Sequence, residues 1–145
     1  MYWSKDGNAE GMCKGPADMD DFRMKFDSLE EQQEDPDSIY NYVKQVIRVR
    51  NQNPVIARGT TAYLEQYSGE QCFALTRSYE GSNLLLLGNT SAEAVSVDLT
   101  GLTVGGTTAE ELVLLGELYT GEETAERAGT VVTLPAYSIL ILGEE

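Results

Sequence analysis

Acidic side chains are the most numerous groups in this sequence that could do chemistry. The 145 residues include twenty-four Asp and Glu, ten Lys and Arg and no histidine, which gives a formal charge of −14. The absence of histidine removes the usual general base for a serine or cysteine nucleophile. Five carboxylates lie close together in the sequence, and we expect no catalytic pair among them: Asp18, Asp20, Asp21, Glu30 and Glu31.

The sequence does not indicate a metal site. Asp18, Asp20 and Asp21 offer the oxygen ligands that calcium takes, but their spacing lacks the loop signature of an EF-hand, so we interpret them as a solvated acidic loop. Zinc is not indicated, because histidine and paired CxxC spacing are both absent. Cys13 and Cys72 occur in different contexts, a glycine-rich loop and a predicted strand, so we do not expect a disulfide. We predict no metal and no cofactor.

Two adjacent aromatic residues are the candidate binding residues. Tyr2 and Trp3 could form part of a sugar-binding platform, since aromatic faces suit the apolar faces of pyranose rings. The structural alternative is that both rings pack beneath a loop. The five tyrosines of the C-terminal half, which could in principle present a second such surface, are more typical of strand cores and rims: Tyr63, Tyr67, Tyr79, Tyr119 and Tyr137.

Composition limits the class of protein. A hydrophobic content of 41% is enough for the core of one domain, or of one small domain with an appendage. The charge of −14 argues against nucleic acid and anionic membranes as partners. No run approaches the roughly 20 apolar residues of a membrane span, and the first residues lack the apolar core of a signal peptide. We therefore expect a folded protein whose localisation the sequence leaves open.

One amphipathic helix separates two kinds of sequence. Asp35 can cap its first turn, and Pro36 suits the first helical position, so we predict a helix from about residue 36 to 52. The residue before a proline is disfavoured in a helix, so Asn53 and Pro54 should end it. Arg48 and Arg50 near this end complement the negative helix terminus or pair with carboxylates. One helical face carries Ile39, Val43, Val46, Ile47 and Arg50.

The residues after this helix predict an antiparallel all-β domain. Six or seven short runs are bounded by turn residues at the spacing typical of such domains. The run from Leu84 to Leu87 suggests a strand covered on both faces, and Gly116 suggests a bulge. We read strands at 62–67, 71–79, 83–89, 95–99, 112–119, 130–134 and 137–142, with a polar loop at 121–129. The predicted fold is mainly β, an antiparallel β-sandwich of Greek-key or meander type, preceded by an irregular segment and one long α-helix.

Several segments in this order resemble the C-terminal end of an alpha-amylase-family glycoside hydrolase. The resemblance is carried by MYWSKDGNAEGM at the start, by SLEEQQEDPDSIYNYVKQVIRVRNQNPVIARG, and by a β-domain that ends LPAYSILIL. Met1, Tyr2 and Trp3 are similar to the segment that closes the catalytic barrel of that family, near the rim of its active site. The other matching positions are Gln33, Asp35, Pro36, Ser38, Arg50, Asn53 and Pro54.

The resemblance implies where the catalytic residues lie. In this family a retaining hydrolysis needs an Asp nucleophile and a Glu acid/base on separate barrel strands. By resemblance these residues lie upstream of Met1, so we expect no catalytic residue in this chain. It also implies two parts, residues 1–58 as the tail of the catalytic barrel and residues 59–145 as an all-β C-terminal domain. The implied partners are the catalytic barrel and an alpha-glucan or oligosaccharide substrate.

Three hypotheses for the function of the chain remain open at this stage. The leading one is a structural C-terminal fragment of an alpha-glucan- or alpha-glucoside-cleaving enzyme. A second is a non-catalytic carbohydrate-binding module, and a third is an unrelated β-sandwich interaction domain with a helical arm. Without a barrel against it, the apolar helix face would be exposed, which leads us to expect either folding onto the sheet or association of two chains through that face.

Overall fold

The computed structural model describes residues 3–5 and 26–144. In these ranges the chain forms helices followed by a long series of short strands. The helices are α1 (Leu29–Glu34), α2 (Ile39–Gln52) and α3 (Pro54–Arg58). The strands are β1 (Thr60–Tyr63), β2 (Cys72–Tyr79), β3 (Ser82–Asn89), β4 (Val95–Asp98), β5 (Thr103–Val104), β6 (Thr107–Thr108), β7 (Val113–Leu118), β8 (Glu126–Ala128), β9 (Val131–Leu134) and β10 (Ile139–Gly143).

The chain divides into two compact units, Met1–Lys44 and Gln45–Glu145. In the first unit, α1 is short and closed by a capping box. The Ser28 hydroxyl accepts a hydrogen bond from the Glu31 backbone N–H, and the Glu31 carboxylate accepts from the Ser28 backbone N–H. This reciprocal arrangement satisfies two amide donors that a helix start leaves without partners.

Helix α2 begins at Ile39 and not at Pro36 as the sequence predicted. Ser38 caps it, because its hydroxyl accepts a hydrogen bond from the Asn41 N–H at 3.2 Å. The Asp35 carboxylate instead accepts from the Asp37 N–H at 2.9 Å, which forms a local turn that competes with helix. The predicted end at Gln52 is confirmed, and Pro54 then opens the separate helix α3.

The second unit is built on two antiparallel sheets. The larger has the strand order β1-β2-β3-β10-β7, so the last strand in the sequence lies between two others, and the smaller has the order β4-β9-β8. Strands β5 and β6 form a separate hairpin. Every pairing is antiparallel, as expected for strands joined by short connections.

The core lies between the two sheets. Alternate residues of β3 point to opposite faces, and Leu85 and Leu87 lie on the inner face with relative exposures of 0%. From the smaller sheet, Val132 and Leu134 pack into the same cluster, and Val97 joins them from β4. Burial of these side chains is the main source of stability for the unit.

The opposite face of the larger sheet is also partly covered. Leu84 and Ile141 on this face are 1% and 2% exposed. The C-terminal half of α2 reaches it through Val49, which is 8% exposed and is the buried residue of that helix. Helix α3 packs against β2 and β3, and the Arg77 Nε atom donates to the Val55 carbonyl at 3.4 Å. Both faces of β3 are therefore covered, as its run of leucines predicted.

The predicted fold class is confirmed, with local differences in the strands. The first strand ends at Tyr63 and a 3-10 turn follows, because the Tyr67 N–H bonds to the Leu64 carbonyl instead of a ladder partner. The bulge expected at Gly116 is present, since the register of β7 against β10 shifts between Gly116 and Leu114. Strand β8 replaces part of the predicted loop at 121–129. No helix in the part of the chain that the structure describes is long and apolar enough to cross a membrane.

Candidate functional site

The structure describes one of the two predicted sugar-binding residues. Trp3 is 59% exposed, and its backbone carbonyl accepts a hydrogen bond from the Glu30 N–H at 3.2 Å. An exposed indole is available for stacking, but exposure alone does not make a binding site. Tyr2 lies outside the described residues, as do Asp18, Asp20 and Asp21.

The two acidic residues in the first turn of α1 hold local structure together. Glu31 closes the capping box with Ser28, and the Glu30 carboxylate accepts a hydrogen bond from the Lys5 backbone N–H at 3.1 Å. Hydrogen bonds from Ser28 lower the pKa of Glu31 from its ordinary value, which keeps the carboxylate charged. A general acid needs the opposite shift, so Glu31 is not suited to that role.

Two further carboxylates have lowered pKa values for the same kind of reason. The Thr100 hydroxyl and backbone N–H donate to the Asp98 carboxylate at 2.7 and 2.9 Å, and these bonds lower the pKa of Asp98. Thr108 lowers the pKa of Glu111 through an equivalent pair of bonds in a second capping box. Each of these charges stabilises a turn formed by residues next to it in the sequence.

Tyr119 has a raised pKa, which also has a structural cause. Burial raises the pKa of its hydroxyl to about 12, and the neighbouring Glu117 carboxylate adds to the effect. The hydroxyl donates to Glu117 at 2.7 Å and accepts from the Ala125 backbone N–H at 3.0 Å. The phenol therefore connects β7 to the loop that follows it, and it stays protonated at neutral pH.

The described residues do not form a metal centre. Within 3–5 and 26–144, the structure contains no group of three or more Cys, Asp or Glu side chains that could hold a metal ion. Cys72 carries a free thiol and is half-buried at the start of β2.

Helix α2 has one apolar residue that is buried and several that are exposed. Val49 turns toward the larger sheet, where a Cβ atom placed on Gly116 would lie 2.8 Å from its Cγ1 atom. The Gln45 side chain donates to the Glu117 carbonyl at 3.0 Å from the same side of the helix. Val46 is half-buried, and three other apolar residues of the helix are exposed. We call Ile39, Val43 and Ile47 the α2 stripe, and their exposed fractions are 66%, 46% and 52%.

Helical periodicity in the sequence predicts that the residues of the α2 stripe share one face. It does not predict which side of the helix the rest of the chain covers. The apolar arc of α2 is wide, because Val46 and Val49 extend it beyond the stripe. The chain's own sheet takes the Val49 side. The side chains of the α2 stripe are exposed, and Arg50, which is also exposed, follows Ile39 at the i+11 position on the same helical face.

The charged residues are unevenly distributed around this stripe. From Ser38 to Leu64 the sequence has four basic residues and no acidic one, namely Lys44, Arg48, Arg50 and Arg58. From Gly59 to the end, the only basic residues are Arg77 and Arg127. Arg77 donates to the Val55 carbonyl, and Arg127 donates to the carbonyls of Ala109 and Leu112. The helical segment is thus a basic region in an acidic chain.

Comparison with solved structures identifies proteins that contain a similar fold. The chain matches Eubacterium rectale Amy13B with 38% sequence identity and a TM-score of 0.87, over 100% of this chain and 27% of that chain. It matches the alpha-amylase from H. orenii with 23% identity and a TM-score of 0.63, over 83% of this chain and 23% of that one. It matches the trehalulose synthase MutB from Pseudomonas mesoacidophila MX-45 with 24% identity and a TM-score of 0.62, over 81% and 20%. The last two similarities concern the fold alone.

No protein-family model and no curated protein sequence matches the chain. The sandwich and its preceding helices correspond to a portion of larger carbohydrate-active enzymes, of which this chain spans 27% or less. The chain resembles a fragment of an alpha-amylase-family glycoside hydrolase, as the order of its sequence segments indicated.

Proposed function

We propose that the chain is the C-terminal part of a retaining glycoside hydrolase that acts on alpha-glucans or alpha-glucosides. In this assignment residues 1–58 belong to the end of the catalytic barrel and residues 59–145 to an all-β C-terminal domain. The nucleophile and the acid/base lie upstream of Met1. The role of the chain itself is structural, because its β-domain buries apolar surface of the catalytic part and so stabilises it.

The observation that carries the proposal is the match with Amy13B. All of this chain is matched by 27% of that larger chain, at 38% identity. Two features of the described residues support a structural role. The carboxylates with shifted pKa values are engaged in caps and turns, and their shifts favour the charged form. The buried hydrophobic side chains of the β unit also form one cluster, so the unit has a core of its own.

The activity assignment is tested with two polypeptides. One is the 145-residue chain, and the other is the product of the complete reading frame that contains it. We expect the longer product to hydrolyse starch or an aryl alpha-glucoside, and the 145-residue chain at micromolar concentration to give no more product than the blank. Hydrolysis by the short chain would overturn the statement that the catalytic residues lie upstream.

Trp3 and Tyr2 are proposed to contact substrate at the rim of the active site. Support for Trp3 comes from its 59% exposure, which is high for an indole. In the longer product, Trp3→Ala should raise KM for an oligosaccharide more than it lowers kcat, because stacking contributes to binding of the ground state. An unchanged KM would contradict this assignment.

A second candidate function, a carbohydrate-binding module, is favoured by two exposed aromatic rings in the β unit. Tyr63 and Tyr137 are 58% and 53% exposed. Calorimetric titration of the 145-residue chain with maltoheptaose distinguishes the two functions. Binding at millimolar or lower Kd that is lost in Tyr63→Ala or Tyr137→Ala would favour the module, and the absence of binding would favour the structural role.

A further inference from the structure

Tyr137 has two properties that the core of the β unit does not explain. Its φ is 47°, in the left-handed region that side chains other than glycine and asparagine rarely adopt. Its ring is 53% exposed, so burial offsets little of the free energy that this conformation costs. Strained residues of this kind are concentrated where a protein binds a ligand or a substrate.

The turn that contains Tyr137 is not one whose geometry requires a positive φ. Among the described residues, Glu80 is the other non-glycine residue with a positive φ, at 50°. It lies with Gly81 in the two-residue turn between β2 and β3, and hairpins of that length need positive φ at both positions. Tyr137 lies between β9 and β10, which belong to different sheets, so hairpin geometry does not impose its conformation.

Buried polar groups hold the backbone around Tyr137 in place. The Pro135 carbonyl accepts from the Asn89 Nδ2 atom at 2.8 Å and from the Ser138 hydroxyl at 2.7 Å. Both of these donor side chains are buried. The Tyr137 N–H donates to the Ser91 carbonyl at 3.1 Å. The ring is therefore attached to a turn that is already ordered, which lowers the entropy cost of binding a ligand there.

The surface next to this ring is polar. The bond to the Ser91 carbonyl places Tyr137 beside the connection between β3 and β4, where Thr90 and Glu93 are exposed. Gln71 is also exposed, and its carbonyl accepts from the Thr90 hydroxyl at 3.1 Å. All of these residues belong to the second compact unit. One aromatic ring among hydroxyl, amide and carboxylate groups suits a sugar, which has an apolar ring face and a rim of hydroxyls, better than the apolar centre of a protein interface.

We infer that Tyr137 and the polar side chains beside it bind a glucose unit of an alpha-glucan. The phenol ring packs on the apolar face of the sugar, and the sugar hydroxyls hydrogen-bond to the exposed side chains next to the turn. A glucan carries no charge, so the charge of −14 on the chain does not repel it. The inference rests on the proposed function, which supplies the substrate class, and it adds a place in the β unit where that substrate is held.

Tyr63 provides the matched comparison, because its ring is exposed to a similar extent, 58%. It lies in strand β1, where an aromatic residue suits the extended backbone, so its presence needs no ligand to explain it. Calorimetric titration of the 145-residue chain with maltoheptaose should give a Kd on the order of 1 mM, since one ring makes a small contact. Tyr137→Ala should raise this Kd by about tenfold or more, and Tyr63→Ala should leave it unchanged.

Two further substitutions at Tyr137 separate binding from folding. Tyr137→Phe keeps the ring face and should retain most of the affinity. Tyr137→Gly should bind as weakly as Tyr137→Ala, but its thermal midpoint should not fall, because glycine adopts a positive φ without strain. Glu80→Gly is the control, since it relieves a similar φ in another turn and should leave the Kd unchanged.

Three results would overturn the inference. In the first, the unsubstituted chain shows no binding of maltoheptaose at millimolar concentration. In the second, Tyr137→Ala and Tyr63→Ala change the Kd equally. In the third, Tyr137→Gly lowers the thermal midpoint by several degrees more than Glu80→Gly does, which would assign the ring to the fold. Starch hydrolysis by the product of the complete reading frame tests the proposed function separately. Hydrolysis by that product without binding by the 145-residue chain would reject this inference alone, and binding without hydrolysis would reject the proposed activity alone.

Discussion

Val49 of α2 packs against Gly116 of β7, at the point where the larger sheet contains a bulge. A Cβ atom on Gly116 would lie 2.8 Å from the Val49 Cγ1 atom and 3.6 Å from the Ile141 Cδ1 atom. The first distance is shorter than van der Waals contact allows. The absence of a side chain at residue 116 is therefore what permits the C-terminal half of the helix to lie this close to the sheet.

Gly116→Ala should accordingly lower the free energy of unfolding by about 1–3 kcal/mol, the usual cost of overpacking a filled site. Urea denaturation of the 145-residue chain measures it. Gly121→Ala is the control, since no heavy atom lies within 4 Å of a Cβ atom there, and its stability should change by less than about 0.5 kcal/mol. Equal stability of the two variants would mean that Val49 does not press against β7.

Substitutions at Gly88 and Phe73 should have non-additive effects on the free energy of unfolding. Phe73 and Gly88 are paired across β2 and β3, and a Cβ atom on Gly88 would overlap the Phe73 ring at its Cε1 atom. Gly88→Ala alone must displace the ring and should destabilise the chain by about 2 kcal/mol or more. In a Phe73→Ala background most of this cost should vanish. A double-mutant cycle with a coupling energy below about 0.5 kcal/mol would contradict the contact.

We expect removal of the buried Asn89 amide to cause a large loss of stability. Asn89 is 3% exposed, and its Nδ2 atom donates to the carbonyls of Glu93 and Pro135 at 2.7 and 2.8 Å. Its Oδ1 atom accepts from the Ser91 N–H at 2.9 Å. Asn89→Ala leaves several of these groups without partners and should cost about 2–4 kcal/mol.

The control for Asn89 is Asn51→Ala on the exposed side of α2, which should cost less than about 0.5 kcal/mol. Asn89→Asp should be worse than Asn89→Ala at neutral pH, because a charged carboxylate would face the Glu93 and Pro135 carbonyl oxygens. Its stability should recover as the pH is lowered and the carboxyl takes a proton. If the stability of Asn89→Asp did not change with pH, the side chain would have to point away from these carbonyls.

Asp98 predicts a pH-dependent contribution to stability. Hydrogen bonds from Thr100 hold its pKa below the ordinary value, so the folded state binds a proton less readily than the unfolded state. The contribution is therefore fully present above the unfolded pKa of about 3.9 and is lost as the pH falls through the lowered folded pKa. The stability difference between the wild-type chain and Asp98→Asn should be largest near pH 7 and should decline below about pH 4.

Thr100→Val should have a pH dependence of stability between those of the wild-type chain and Asp98→Asn. It removes the hydroxyl that donates to Asp98 at 2.7 Å and keeps the backbone N–H that donates at 2.9 Å. Measuring differences between variants cancels the general effect of titrating the other acidic residues. A wild-type minus Asp98→Asn difference that stays constant from pH 7 to pH 3 would be inconsistent with the lowered pKa.

Much of the β fold could be predicted from local patterns. The alternation of Val95 and Val97 with polar residues predicts strand β4. The run of leucines predicts strand β3, which is covered on both faces. The sequence of the short strand β8 (Glu126–Ala128) predicts a loop, because all of its residues are exposed and the strand is held by its pairing with β9. Pairing partners in general could not be predicted, because periodicity in one strand contains no information about its neighbour.

The candidate site was less predictable for a related reason. The apolar residues of α2 extend around a wide arc, and the sequence does not say which part of that arc the sheet will contact. The bulge next to Gly116 is what lets Val49 make that contact. Once Val49 is placed, Ile47 and Arg50 are left on the exposed side. A glycine at the bulge thus settles which residues of the helix remain available to a partner.

The position of β10 in the larger sheet has a consequence for how the chain is made. This strand follows the other nine in the sequence, yet it lies between β3 and β7, and β7 pairs with no other strand of the described sheet. During synthesis, β7 leaves the ribosome before the strand that it pairs with. The sheet therefore cannot close until residues 139–143 have emerged, so a chain that stops before them exposes the edges of both β3 and β7 to aggregation.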